Sequence, residues 1–157
     1  CRYPVLKRAF LFSCLTGLRK SDIQKLTWGE VQKFGKYTRI VFKQRKTKGQ
    51  EYLDISSQAE KYLGERGNPD DIVFTGFTYG SWTSLELQRW SLAAGVNKNL
   101  TFHCARHTFA VLMLDLGADI YTVSKLLGHR FLTTTQIYAK VLDKNKQNAV
   151  SLIPDIG

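Results

Sequence analysis

The sequence predicts a mainly helical α+β fold with one small β-hairpin early in the chain. Three observations carry that expectation. Apolar runs of helical length stop at glycines, at Gly17, Gly95, Gly117 and Gly128. Two short stretches rich in β-branched and aromatic residues, 38–44 and 51–56, flank a basic segment containing a glycine. The chain has 157 residues, of which 43% are hydrophobic and 23% charged, which is globular composition. That balance excludes disorder, collagen and coiled coil as whole-chain descriptions. The length suits one domain over residues 1–157, with an ordinary core and no need for disulfide or metal staples.

The elements follow in order. Pro4 suits the first position of a helix, where its missing N–H is not needed. Residues 4–15 then form a mostly buried helix closed by Gly17. Ser21 and Gln24 have capping-box spacing, which predicts a short helix over 22–28. The stretches 38–44 and 51–56 pair as a hairpin with the tip Arg45-Lys46-Thr47-Lys48-Gly49-Gln50. Residues 57–64 read as a helix, 67–70 as a turn, 72–74 as a short strand and 76–80 as a loop. A helix from Ser81 or Ser84 reaches Ala94, and Thr101 caps a strong helix through Leu116. Further helices are expected over 120–127, 133–141 and 144–152. No repeat or low-complexity tract is present.

The 23 Lys and Arg outnumber the 13 Asp and Glu, giving a formal charge of +10. Such a balance points to a polyanionic partner, most often nucleic acid, with scattered solubility charge as the competing explanation. The charge is concentrated. The first fifty residues hold 13 basic side chains against Asp22 and Glu30, whereas residues 51–100 are net acidic. Three cysteines, Cys1, Cys14 and Cys104, with no C-x-x-C pair, suit a reducing cytoplasm and make a thiolate zinc site unexpected. The longest apolar stretches, such as 109–114, fall far short of the roughly 20 residues of a membrane span. Lys7 and Arg8 interrupt the first apolar run, so no signal peptide is expected. A chain beginning at Cys1 is expected to be a fragment lacking an amino-terminal partner domain.

Four groups of residues carry candidate chemistry. The hairpin tip places Arg45, Lys46 and Lys48 where like charges repel unless a polyanion is present, although a solvated turn has the same composition. The segment Thr16-Gly17-Leu18-Arg19-Lys20-Ser21-Asp22 sets Arg19 in the joint between two helices, with Asp22 placed to orient its guanidinium. A purely structural Arg–Asp pair is the alternative. His103, Arg106 and His107 have the i, i+3, i+4 spacing of one helical face. Zinc is not expected there, because the position after the first histidine is Cys104 rather than Glu and an arginine lies between the imidazoles. Arg and His together suit an oxyanion, with one histidine, His107 in preference, free to be a hydrogen-bonded core residue. Finally, His129 follows the helix-ending Gly128, and Tyr138 lies nine residues on. A lone tyrosine is usually a packing residue. A phenol becomes a covalent nucleophile when cations stabilise its charge and that of its target. Two Arg, two His, a Lys and a Tyr supply what attack on a phosphodiester requires, without a metal.

The set Thr-Gly-Leu-Arg19, a lysine in the following hairpin, His103-x-x-Arg106-His107, Leu-Gly-His129 and Tyr138 resembles the catalytic domain of tyrosine recombinases, the phage-integrase-type enzymes akin to type IB topoisomerases. The match spans nearly the whole chain in order and spacing. The stretch from Gly128 to Val141 looks most like integrases of Bacteroidetes-type mobile elements. The resemblance implies the fold of that catalytic domain and a site-specific recombinase or integrase. Tyr138 would attack the scissile phosphate and form a 3′-phosphotyrosyl link. Arg19 and Arg106 would grip its non-bridging oxygens. Lys46 would protonate the departing 5′-oxygen, with Lys48 as the fallback. His103 would act as base towards Tyr138, and His129 would hydrogen-bond the phosphate. Lys20, Arg45, Lys48 and Arg130 would track the DNA backbone.

The implied partners are double-stranded DNA and, for the full-length protein, further copies in a tetramer; neither membrane, cofactor, metal nor ATP is implied. The segment after Val141 is a candidate for docking on a neighbouring protomer, or for packing on its own domain. Two other readings compete. A catalytically silent DNA-binding module of the same fold fits the charge but not the intact residue set. An RNA-binding or ribosome-associated protein explains the charge alone.

Overall fold

Pro4 opens helix α1, Pro4–Thr16, in the computed structural model, which describes residues 1–43, 50–129 and 132–157. Arg45, Lys46, Lys48 and Arg130 therefore lie outside the described residues. Gly17 ends α1 at φ 71°, a left-handed conformation that a side chain would strain, and its N–H donates to the Ser13 carbonyl at 2.8 Å. Helix α2, Lys20–Lys25, starts two residues before the sequence expectation and ends three earlier. The Arg19 carbonyl accepts from the Asp22 and Ile23 N–H groups, so Ser21 lies inside the helix and caps nothing. The capping box forms instead on the 3₁₀ turn Trp28–Glu30, where the Thr27 N–H donates to Glu30 Oε2 at 3.0 Å.

Three antiparallel strands follow, β1 Val31–Phe34, β2 Tyr37–Lys43 and β3 Gln50–Ile55, in the order β1-β2-β3. The expected hairpin is β2–β3, with Ile40 opposite Leu53 and Lys43 opposite Gln50. Strand β1 is an addition to the expected pattern. It has four residues and buries only Val31, too little periodicity to read as a strand. Val31, Ile40, Leu53 and Ile55 face the core. On the outer face the Arg39 guanidinium lies 3.8 Å from the Phe34 ring centroid and 3.9 Å from that of Tyr52, and donates to both Asp54 oxygens at 2.7 and 2.9 Å.

Helix α3, Ser57–Glu60, is half as long as expected. Past Glu60 the chain tightens into turns, the Tyr62 and Leu63 N–H groups donating to the Ala59 and Glu60 carbonyls, and Arg8 takes the free carbonyls of Tyr62 and Leu63. The expected strand over 72–74 reduces to a single bridge between Thr27 and Ile72. Helix α4, Ser81–Ala93, then leads through a turn to α5, Cys104–Asp115. His103 lies in the turn before α5, not within it, and its carbonyl accepts from the Arg106 N–H at 3.0 Å.

The chain divides into two compact units, Cys1–Arg106 and His107–Gly157, with the boundary inside α5. The first unit buries Leu6, Phe12, Ile23, Leu26, Ile40, Phe74 and Leu87 almost completely. Each such side chain contributes about 1.5–3 kcal/mol on burial. Phe12 meets Phe74 with ring centroids 5.3 Å apart, and Phe10 meets Phe102 at 5.7 Å. In the second unit, α5 and helix α6, Ile120–Leu126, close a core of Phe109, Ala110, Leu114, Val123 and Leu127. Two 3₁₀ turns, Leu132–Thr134 and Gln136–Val141, replace the helix expected over 133–141, and α7, Leu142–Ser151, follows directly. Three consecutive threonines disfavour an α-helix there, and the buried Thr135 is bonded to a side chain instead. Among the described residues, no helix is long and apolar enough to cross a membrane.

Candidate active site

A pocket of about 290 Å³ opens in the first unit. Its wall includes Arg19, Lys20 and Ser21 from the joint between α1 and α2, Thr101, Phe102 and His103 from the turn before α5, and Arg106 from its first turn. Tyr79, in the loop before α4, completes the lining. Three cationic side chains and an imidazole thus share one concavity, and no carboxylate lines it among the described residues. Such a pocket selects an anion with several acceptor oxygens.

Local folding sets each of these groups. Arg106 is buried at 7% exposure, and its guanidinium donates to the Gly17 carbonyl. The glycine that ends α1 therefore also anchors the arginine, fixing one edge of the fork. Arg19 is exposed at the start of α2. The expected Arg19–Asp22 pairing does not form: no ion pair joins these residues among those described. The residues lie three apart across a helix start, where Asp22 is already in the first turn. His103 is exposed, as befits a turn residue, rather than held on a helical face. Lys20 lies over the Tyr79 ring, with Nζ 4.8 Å from its centroid. The Tyr79 hydroxyl accepts from the Phe102 N–H at 3.2 Å, tying the loop to the start of α5.

Sequence reasoning passed over Tyr79. The signal was the glycine-bounded loop Gly76-Phe77-Thr78-Tyr79-Gly80, which carries an aromatic ring on a connecting segment. Cys14 sits on α1. Burial pushes its thiol up to about 12, and the nearby Cys104 adds to the effect. Among the described residues, no group of three or more His, Cys, Asp or Glu is placed to hold a metal ion.

The second unit holds the other candidates. Gly128 closes α6 at φ 66°, and the His129 N–H returns to the Ser124 carbonyl at 3.0 Å. That turn directs the imidazole so that Nδ1 meets the Thr135 hydroxyl at 2.6 Å. Its Nε2 is the other bonding position of the ring. Tyr138 is half-buried and packs against the Phe109–Leu127 core. Its hydroxyl is hydrogen-bonded to Nδ1 of His107, with ring centroids 5.6 Å apart at 61°. His107, set aside as a hydrogen-bonded core histidine, thus has the candidate nucleophile as a partner.

Comparison with known proteins places these residues in context. The model of the phage integrase family matches residues 2–145. The tyrosine recombinase XerD of Oceanobacillus iheyensis is 33% identical over 140 residues, covering 80% of this chain and 46% of that protein. The tyrosine recombinase XerC of Actinobacillus pleuropneumoniae is 34% identical over 134 residues, covering 78% and 43%. The chain therefore spans less than half the length of these relatives. Among solved structures, the XerH site-specific recombinase bound to palindromic difH substrate in a post-cleavage complex matches with a TM-score of 0.68 at 20% identity, over 94% of this chain and 45% of that one. The catalytic domain of bacteriophage HP1 integrase matches with a TM-score of 0.61 at 23% identity, over 97% and 90%. These two structures share the fold.

Proposed function

The chain belongs to the phage integrase family, and from that membership we propose that it is the catalytic domain of a tyrosine site-specific recombinase, acting on double-stranded DNA. The observation that carries the reading is the pocket of Arg19, Lys20, His103 and Arg106 with no carboxylate among its described lining residues. A phosphodiester in transit through a pentacoordinate state concentrates negative charge on its non-bridging oxygens. Arginines neutralise that charge with paired N–H donors, and a buried, anchored guanidinium needs no reorganisation to do so.

In this reading Arg19 and Arg106 hold the phosphate. Tyr138 attacks the phosphorus, the 5′-oxygen leaves with a proton from Lys46, and His129 donates to a phosphate oxygen. The 3′-phosphotyrosyl link keeps the bond energy, so a second 5′-hydroxyl reverses the step without ATP or metal. His103, the base towards Tyr138 in the expectation from the resemblance, assists proton transfer. Lys20, Arg45, Lys48 and Arg130 contact the backbone of flanking DNA. The full-length protein works as a tetramer on paired sites in the bacterial cytoplasm. The intact residue set argues against a silent DNA-binding module, which has no use for a tyrosine bonded to an imidazole.

A pool of nicked duplexes with randomised sequence tests the proposal, because the nick lets the cleaved strand diffuse away and traps the covalent product. The chain is expected to give a protein–DNA adduct that survives denaturation, with the phosphodiester mapped to Tyr138 by peptide mass spectrometry. Chelator should leave the yield unchanged. Absence of adduct from the pool, or equal yield from Tyr138→Phe, would sink the reading.

A further inference from the structure

We propose that His107 is the proton acceptor for Tyr138 in strand cleavage. This rests on the recombinase reading and gives His107 the base role towards Tyr138 that the resemblance assigns to His103. A phenol has an ordinary pKa of about 10, so at neutral pH it needs a base within hydrogen-bond reach. The Tyr138 hydroxyl has one in Nδ1 of His107. The rings meet at 61°, an edge contact rather than a parallel stack, which suits a hydroxyl on the in-plane nitrogen.

Both partners are fixed by one core. His107 lies in the first turn of α5, and the same helix sends Phe109, Ala110 and Leu114 into the cluster against which Tyr138 packs. The dyad thus belongs to the second unit alone. The chain has three histidines. His103 lines the cationic pocket, and His129 uses Nδ1 on Thr135. His107 places Nδ1 on the reacting oxygen.

The step balances as follows. The Tyr138 Oη–P bond forms as the Oη proton moves to His107 Nδ1. The P–O5′ bond breaks, and the 5′-oxygen takes a proton from the hairpin lysine. On rejoining, a 5′-hydroxyl gives its proton back to the lysine, and the imidazolium returns its own to the departing Tyr138 oxygen. The scheme requires the His107 tautomer with its proton on Nε2, since an Nδ1–H would donate to the phenol and could not accept from it.

Two measurements decide the matter. Nitrogen-15 NMR of the histidine-labelled chain reads the tautomer directly. A bare Nδ1 on His107, whose signal moves in Tyr138→Phe, is expected; a protonated Nδ1 would overturn the proposal. Adduct formation on the randomised nicked pool supplies the second readout. His107→Asn puts an amide near the Nδ1 position that can hold the phenol but not take its proton. It should slow adduct formation by ~100-fold, in the range for general-base catalysis. His107→Ala should be as slow, and added imidazole should restore part of its rate. Wild-type speed in His107→Asn, with unchanged circular dichroism, would reduce His107 to a packing contact and leave the recombinase reading standing. Failure of the wild-type chain itself to form adduct would instead remove that reading, and this one with it.

Discussion

Burial holds the Cys14 thiol at a pKa of about 12, with Cys104 opposing its ionisation further. At pH 8 roughly one such thiol in ten thousand is the reactive thiolate. Cys1 is exposed. Brief treatment of the folded chain with iodoacetamide at pH 8 should therefore modify Cys1 and spare Cys14 until the protein is unfolded, as peptide mass spectrometry would read. Modification of Cys14 at the rate of Cys1 would contradict its burial. Side-chain chemistry of this kind was only partly legible beforehand. The types and spacings of Arg19, His103 and Arg106 made them candidates, and one pocket brings the three together. The Tyr138–His107 bond was not legible. It joins residues 31 positions apart, and that meeting depends on two 3₁₀ turns whose path no periodicity encodes.

Helix ends carry much of the fold's local definition, and two of them are testable. Asp119 caps α6, accepting from the Thr122 N–H at 2.9 Å and its hydroxyl at 2.6 Å. These bonds, the hydroxyl's first, hold its carboxyl below the usual carboxylate range. A folded-state pKa below the unfolded one means stability that is complete above the unfolded value and lost as pH falls through the folded value. Asp119→Asn keeps a cap but not the charge, so its urea midpoint should lie below that of wild type at pH 7 and converge with it in acid. A gap independent of pH would refute the assignment. At Gly17, alanine must adopt the same φ of 71°, at a cost of about 1–2 kcal/mol. Because the Gly17 carbonyl also receives Arg106, Gly17→Ala should lower both the urea midpoint and adduct yield. Such glycine stops were readable in the sequence, which is why α1, α4, α5 and α6 were anticipated within a few residues. The short pieces were not. β1 buries one side chain, and α3 gives way after one turn to tighter turns capped by the distant Arg8, so neither leaves a local pattern.

The formal charge of +10 and its concentration in the first fifty residues pointed to a polyanion, but the fold divides that charge by use. Arg8 holds the carbonyls of Tyr62 and Leu63, Lys33 pairs with Glu60, and Arg39 is sandwiched by Phe34 and Tyr52 while gripping Asp54. These cations are committed within the chain. Lys20 is exposed, lines the pocket and stacks on Tyr79, with no carboxylate partner among the described residues. Counterion release distinguishes the two kinds. Each phosphate contact adds about 0.9 to the slope of log affinity against log salt on duplex DNA. Lys20→Ala should therefore weaken binding to duplex DNA and reduce that slope by about 0.9, measured by fluorescence anisotropy over a salt series. Arg39→Ala should lower the urea midpoint and leave the slope where it was, since the charge it removes was already matched by Asp54. If the two variants lose slope equally, the sheet's outer face belongs to the DNA footprint, and the division between structural and DNA-facing cations fails.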